Sequence, residues 1–200
     1  MVAVIDYDTG NLRSVCNALE RLGATYEVTA DHSRILSADR VLMPGVGEAS
    51  SAMRKLRERG LDTLIPRLTQ PVLGICIGMQ LMCDCSEEGD ARCLGIFPTR
   101  VRRLTALPER GVKVPHMGWN SLTALRTPLF DGVAPSAFVY FVHSFAADIC
   151  PSTIAQCDNG RPFSASLNVN NFYGVQFHPE KSGDVGQLII NNFLTKICAR

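Results

Sequence analysis

The chain predicts an α/β fold: a single domain, residues 1–200, built on a central, mostly parallel but mixed sheet flanked by helices. Three observations carry this. Short β-rich runs alternate with stretches whose apolar residues recur at helical spacing through the N-terminal half, the signature of parallel strands joined by crossover helices. The middle changes to β-prone segments broken by Gly and Pro. No internal repeat, linker or low-complexity tract divides the chain.

Val2–Ile5 reads as the first strand, followed by a Gly/Asn turn at Thr9-Gly10-Asn11. Leu12, Val15, Leu19 and Leu22 then fall on one helical face, with Gly23 placed as a C-cap. Tyr26 and Val28 mark a second strand and Arg40–Met43 a third, closed by the turn Pro44-Gly45-Val46-Gly47. Met53 and Leu56 lie on a helix ending near Gly60. Residues 71–75 read as a short buried strand, and a helix runs over 77–82. Residues 99–104, 112–116 and 138–142 are expected as antiparallel or mixed strands at the sheet edge. Two more strands are expected at 165–169 and 173–177, before a last helix carrying Leu188, Ile189, Phe193 and Ile197.

Composition narrows the function classes. A hydrophobic content of 46%, 20% charged residues and a net charge of +1 describe an ordinary globular chain without a nucleic-acid footprint. No apolar run approaches the ~20 residues of a membrane span. The N-terminus enters a strand without a basic flank or small-residue cleavage site, so cytoplasmic residence is expected. The eight cysteines are then expected as reduced thiols, all but Cys76 being small core residues. Cys83-Asp84-Cys85 has the wrong spacing for a zinc knuckle, and His32, His116 and His143 form no readable metal cluster. Neither a metal nor a cofactor is expected.

The stretch Gly74-Ile75-Cys76-Ile77-Gly78-Met79-Gln80 carries the chemistry. A cysteine on a tight strand-to-helix turn stands at the carboxyl edge of a sheet, beside a helix N-terminus whose N–H groups favour a thiolate and an adjacent oxyanion. Downstream, Phe177-His178-Pro179-Glu180 supplies a base and its orienter. In extended chain His178 and Glu180 share a face, and a carboxylate there fixes the imidazole tautomer and stabilises the imidazolium. Strand ends of one parallel sheet are where Cys76 and His178 can meet.

These motifs resemble the nucleophile and His/Glu motifs of the triad-type glutamine amidotransferases, whose fold is flavodoxin-related. More narrowly, the chain resembles the glutaminase subunits of imidazole glycerol phosphate synthases of histidine biosynthesis. The likeness runs in order from Val4-Ile5-Asp6-Tyr7 and 10–15 through 44–47, 86–89, His116-Met117-Gly118-Trp119-Asn120 and 140–144 to 176–182. The resemblance implies Cys76 as nucleophile, His178 as general base and then acid, and Glu180 as orienter. It implies oxyanion donors at Ile77 and, after a backbone flip of the glycine-flanked turn, at Val46. Gly47, Gln80, Glu88, His143, Ser144 and Phe145 match positions of the glutamine pocket. The family passes ammonia to a (β/α)8-barrel cyclase subunit, so a heterodimer is implied, with Asn11, Trp119, Tyr140 and Lys181 near the interface.

Three residues depart from the family pattern: Asp8 stands in place of a glycine, Ala49 in place of an aromatic, and Phe145 in place of a tyrosine. Other readings stay open here: a glutaminase of another pathway such as pyridoxal phosphate synthesis, a cysteine peptidase or esterase, or a non-catalytic binding module.

Overall fold

The computed structural model describes residues 1–8 and 12–198; the expected turn at Thr9–Asn11, and with it Asn11, lies outside them. Strand β1 (Val2–Ile5) buries all four of its side chains, Val2 and Val4 into one apolar cluster and Ala3 and Ile5 into another. Strands buried on both faces belong to a sheet covered by helices on both sides. Helix α1 (Leu12–Arg21) returns the chain to β2 (Tyr26–Thr29), and α2 (His32–Ser37) leads to β3 (Arg40–Met43). Helices α3 (Ala49–Glu58) and α4 (Leu61–Leu64) precede β4 (Val72–Ile75), and α5 (Ile77–Leu81) follows it.

Beyond α5 come β5 (Cys83–Ser86), β6 (Ala91–Arg92), β7 (Phe97–Arg103), β8 (His116–Ser121), β9 (Phe138–His143) and β10 (Phe145–Ala147). Strands β11 (Thr153–Asp158), β12 (Pro162–Val169) and β13 (Phe172–Val175) and helix α6 (Gly183–Thr195) complete the described chain. The main sheet has seven strands in the order β11-β12-β13-β4-β3-β1-β2. β13, β4, β3, β1 and β2 run parallel, and β12 is antiparallel to β13. α1 and α6 cover one face through Val15, Leu19, Ile189 and Phe193, while α3 and α5 cover the other through Met53, Leu56, Ile77 and Met79.

The middle of the chain corrects two expectations. It is no edge excursion: β10-β7-β5-β6 form a second, four-stranded sheet, and β8–β9 a separate hairpin. The strand expected at 112–116 starts only at His116, opposite His143, because Val112 turns back to bridge Leu107. Strands β5, β6, β10 and β11 were not anticipated; the first three are short, and β11 is interrupted by register shifts. The cysteines are less uniformly buried than expected. All eight are free thiols, but Cys85, Cys93 and Cys150 are only half-buried and Cys198 is exposed. Among the described residues no helix is long and apolar enough to cross a membrane.

The tightest packing lies where α5 meets the sheet. Gly74 of β4 pairs with Gly174 of β13. A Cβ at Gly74 would meet the Gly78 carbonyl carbon at 2.7 Å, and one at Gly174 would meet Met79 Cγ at 2.3 Å. A Cβ at Gly78 would stand 1.8 Å from the Met43 carbonyl oxygen. Backbone cannot yield as a side-chain tip can, so Gly78→Ala is expected to cost about 3 kcal/mol or more. Gly23→Ala, at φ +67° with nothing within 4 Å, faces only left-handed strain of about 1 kcal/mol. Urea unfolding of both variants checks the contrast; equal costs would remove the helix seating as a constraint.

Candidate active site

The tight seating of α5 leaves the residue before it no relaxed conformation. Cys76, between β4 and α5, adopts φ +53° and ψ −111°, outside the helical and strand regions, at a cost on the order of 1–3 kcal/mol. Its backbone N–H donates to the Val175 carbonyl at 2.8 Å, locking the turn to β13. Because β4 and β13 are parallel neighbours with Ile75 opposite Val175, the residues that follow them emerge side by side. That register brings Cys76 next to Gln176, 100 positions away in sequence, and towards His178, 102 away.

His178 and Glu180 do share a site, but not through extended chain. Pro179–Lys181 forms a 3-10 turn, for which the fixed φ of Pro179 is suited, and the turn carries Glu180 back to the ring. His178 Nδ1 lies 2.8 Å from Glu180 Oε1, and both side chains are only 2% exposed. The Tyr140 carbonyl accepts the His178 N–H at 2.9 Å. Ser182 Oγ donates to the His178 carbonyl at 2.6 Å and accepts from the Tyr140 N–H at 2.9 Å, so β9 clamps the histidine segment. Burial opposes a charge on His178, but Cys76 and the Glu180 carboxylate outweigh it and push the pKa up to about 10. His178 Nε2 is buried with no hydrogen bond among the described residues. An imidazolium there is the form a neighbouring thiolate requires.

A cavity of about 220 Å³ opens in front of Cys76, the scale of an amino acid and below that of a drug-sized ligand. It is lined by Cys76, His178, Val46, Ile77, Gly47, Gln80, Glu88, His143, Ser144 and Phe145, so ten positions singled out from the sequence meet in one place. Val142, an eleventh wall residue, was not foreseen; its carbonyl faces Cys76 Sγ at 4.0 Å. Gly47 adopts φ +108°, open to glycine and strained for any other residue. Glu88 is half-buried, and burial raises its pKa; its Oε2 accepts the Ala49 N–H at 3.0 Å, at the start of α3.

Several pocket side chains are held inside the protein. Gln80 Nε2 donates to the Phe145 carbonyl at 2.8 Å and to Gln176 Oε1 at 2.9 Å. His143 Nδ1 lies 2.8 Å from the same carbonyl, which fixes that nitrogen as the donor. Its Nε2 meets His116 Nδ1 at 2.9 Å, and His116 Nε2 meets Asn120 Nδ2 at 3.2 Å. Burial drives both imidazoles toward the neutral form, with pKa values pushed down to about 3 for His143 and about 4 for His116. Asn120 therefore donates to His116, His116 to His143, and His143 to Phe145. Among the described residues, no group of three or more His, Cys, Asp or Glu side chains is arranged to hold a metal.

The residues expected near a partner lie on the hairpin side of the His178 clamp. Trp119 and Tyr140 face each other across β8 and β9, with ring centroids 6.0 Å apart. Trp119 is 56% exposed, flanked by exposed Met117 and Phe138; Lys181 is exposed and Tyr140 half-buried. Asp8, where the family has glycine, indeed sits at φ +61°; its carboxylate pairs with Arg59 at 2.5 Å and its carbonyl accepts from Lys55. Phe145 contributes its carbonyl to the site, a group that the loss of a tyrosine hydroxyl leaves intact.

A family model for class-I glutamine amidotransferases matches residues 3–197. The imidazole glycerol phosphate synthase subunit HisH of Bacteroides fragilis is 54% identical over 193 residues, covering 96% of this chain and 98% of that protein. Its namesake from Yersinia pseudotuberculosis is 47% identical over 195 residues, with the same coverage. Two crystal structures of glutamine amidotransferases share the fold at 16% identity. One has a TM-score of 0.74 and covers 97% of both chains. The other, from Thermotoga maritima, has a TM-score of 0.62 over 98% of this chain and 82% of its own. Matched over nearly its full length by the family model and by relatives at about half identity, the chain belongs to the class-I glutamine amidotransferases, among the HisH subunits of imidazole glycerol phosphate synthase.

Proposed function

We propose that residues 1–200 act as one glutaminase domain that hydrolyses L-glutamine to glutamate and ammonia on Cys76. The observation that carries this reading is the amino-acid-sized cavity with a strained cysteine on one wall and His178, paired with Glu180 through its Nδ1, on another. His178 takes the thiol proton, and the thiolate attacks the side-chain carboxamide carbon of glutamine. The N–H of Ile77 and, after a flip of the 45–47 backbone, that of Val46 receive the oxyanion. His178 then protonates the departing nitrogen, the C–N bond breaks, and a glutamyl thioester remains on Cys76. Water, losing its proton to His178, attacks the thioester; the electron pair of the C–S bond returns to sulfur and glutamate leaves. Gly47, Gln80, Glu88, His143, Ser144 and Phe145 shape the pocket, Glu88 offering a carboxylate to the substrate ammonium. A cavity of this size, about 220 Å³, suits a free amino acid better than a peptide chain.

Ammonia released to water at neutral pH is protonated and lost as a nucleophile. The partner in this reading is a (β/α)8-barrel cyclase subunit, docked on Trp119, Tyr140 and Lys181, with Asn11 completing the contact. The product of the pair is imidazole glycerol phosphate. The exposed aromatic face of Trp119, backed by the clamp on His178, supports that docking side. Free thiols at all eight cysteines support a reducing, cytoplasmic setting.

Cys76→Ala is expected to lower glutamine-dependent synthesis at least about 10³-fold, while ammonia-dependent synthesis by the partner persists. Glutamate release and product formation measured side by side check this, and loss of both activities would mean that the complex itself had failed. Trp119→Ala is expected to weaken the complex by at least about tenfold with no change in thermal unfolding, because the ring is largely solvent-facing; titration calorimetry reads the affinity. Because the His178 pKa is raised, its imidazolium is present below that value and lost as pH rises through about 10. Glu180→Gln removes a carboxylate that holds it up, so the alkaline limb of kcat/KM should move to lower pH. A limb that stays in place or moves upward would contradict the assigned role.

A further inference from the structure

Gln176 follows β13, two residues before His178, and is fully buried. Its Nε2 stands 3.7 Å from Cys76 Sγ, and among the described residues that sulfur is its only hydrogen-bond partner. Its Oε1 accepts from Gln80 Nε2. Which end of a carboxamide is oxygen is decided by its partners. The Phe145 carbonyl can only accept, so Gln80 turns its NH2 group toward it. The second hydrogen of that group points at Gln176, which answers with its oxygen and is left facing the sulfur with N–H. His143 pins the same carbonyl from the other side, so the polarity of the chain is held at both ends.

We propose that Gln176 is a further catalytic residue, whose carboxamide N–H holds the Cys76 sulfur as a thiolate. Gln80 and the Phe145 carbonyl are positioning groups that impose the orientation of that amide. The inference rests on Cys76 being the nucleophile. An N–H donor favours the charged sulfur without competing for the proton, which passes to His178. The contact acts twice in the cycle. Before attack it raises the thiolate fraction, and during thioester hydrolysis it receives the sulfur as the C–S bond breaks and the electron pair returns to it. A better-stabilised thiolate is a better leaving group.

The test is the rate of Cys76 alkylation by iodoacetamide against pH, resolved by peptide mass spectrometry on the full chain, alone and with the cyclase subunit. Gln176→Met keeps the approximate volume and removes the donor. Its alkylation midpoint is expected to rise by about one pH unit, cutting the neutral-pH rate about tenfold, with kcat falling by a similar factor and KM changing little. Gln80→Met, which frees the amide of Gln176 to rotate, should move the midpoint in the same direction by less. An unchanged midpoint in folded Gln176→Met, with wild-type Cys76 reactive, overturns the inference and leaves the glutaminase reading standing. If that variant does not fold, Gln176→Leu decides: an apolar side chain cannot donate and adds no charge, and a midpoint that fails to rise overturns the inference equally. Wild-type Cys76 alkylated no faster than exposed Cys198 overturns the nucleophile assignment and this inference with it.

Discussion

The contact of Gly78 with the Met43 carbonyl sets the geometry on which the site depends. No side chain fits between them, so α5 lies directly on β3 and β4, over the paired glycines of β4 and β13. A helix that begins so close to the end of a strand leaves one residue to make the turn, and that residue is Cys76. The strain at its backbone is offset by the bond to Val175 and by packing of Met79, Leu81 and Ile77 into a fully formed core. The position of Cys76 is thus a property of sheet and helix packing, and the loops contribute the remaining walls of the cavity.

The electrostatics follow from what each buried imidazole touches. His143 and His178 share a cavity and are both buried, yet burial drives one toward the neutral form while the other keeps its proton to high pH. Desolvation disfavours charge at both. His178 has a carboxylate on Nδ1 and a thiol beside it, which together reverse that penalty. His143 has a carbonyl and a second neutral imidazole, which satisfy its nitrogens without supplying negative charge. One ring can therefore move protons and the other serves as a fixed strut, although composition and spacing make them look alike.

The parts of the fold legible in the sequence were those with strong local signals. β1, β3 and β4 are short continuous apolar runs and α1 carries a helical apolar pattern, and their ends agree within a residue or two. The second sheet was missed because β5, β6 and β10 are only two to four residues long and β5 and β6 are largely polar, so no local pattern marks them. At the site, the motif around Cys76 and the His-Pro-Glu turn were readable, and the resemblance supplied the other pocket positions. The extended geometry assigned to 178–180 was wrong in form, since Pro179 starts a turn. Gln176 was overlooked although the spacing that paired His178 with Glu180 also places it two residues upstream. Its role depends on Gln80, 96 positions away, and such a polarity relation has no trace in a linear pattern.

The run of donors from Asn120 through His116 and His143 to the Phe145 carbonyl, continued on the far side by Gln80 and Gln176, restricts which sequences the hairpin can carry. Asp is nearly isosteric with Asn, but at position 120 it would set an acceptor against the acceptor nitrogen of His116. Relieving that conflict by switching tautomers would leave His143 facing the Phe145 carbonyl with a lone pair, or force a buried proton onto one of the rings. Exchange at this half-buried hairpin position is therefore governed by the chemistry of a carbonyl several bonds away. Asn120, His116 and His143 form a grammatical unit: each can be replaced only by a group that speaks in the same direction.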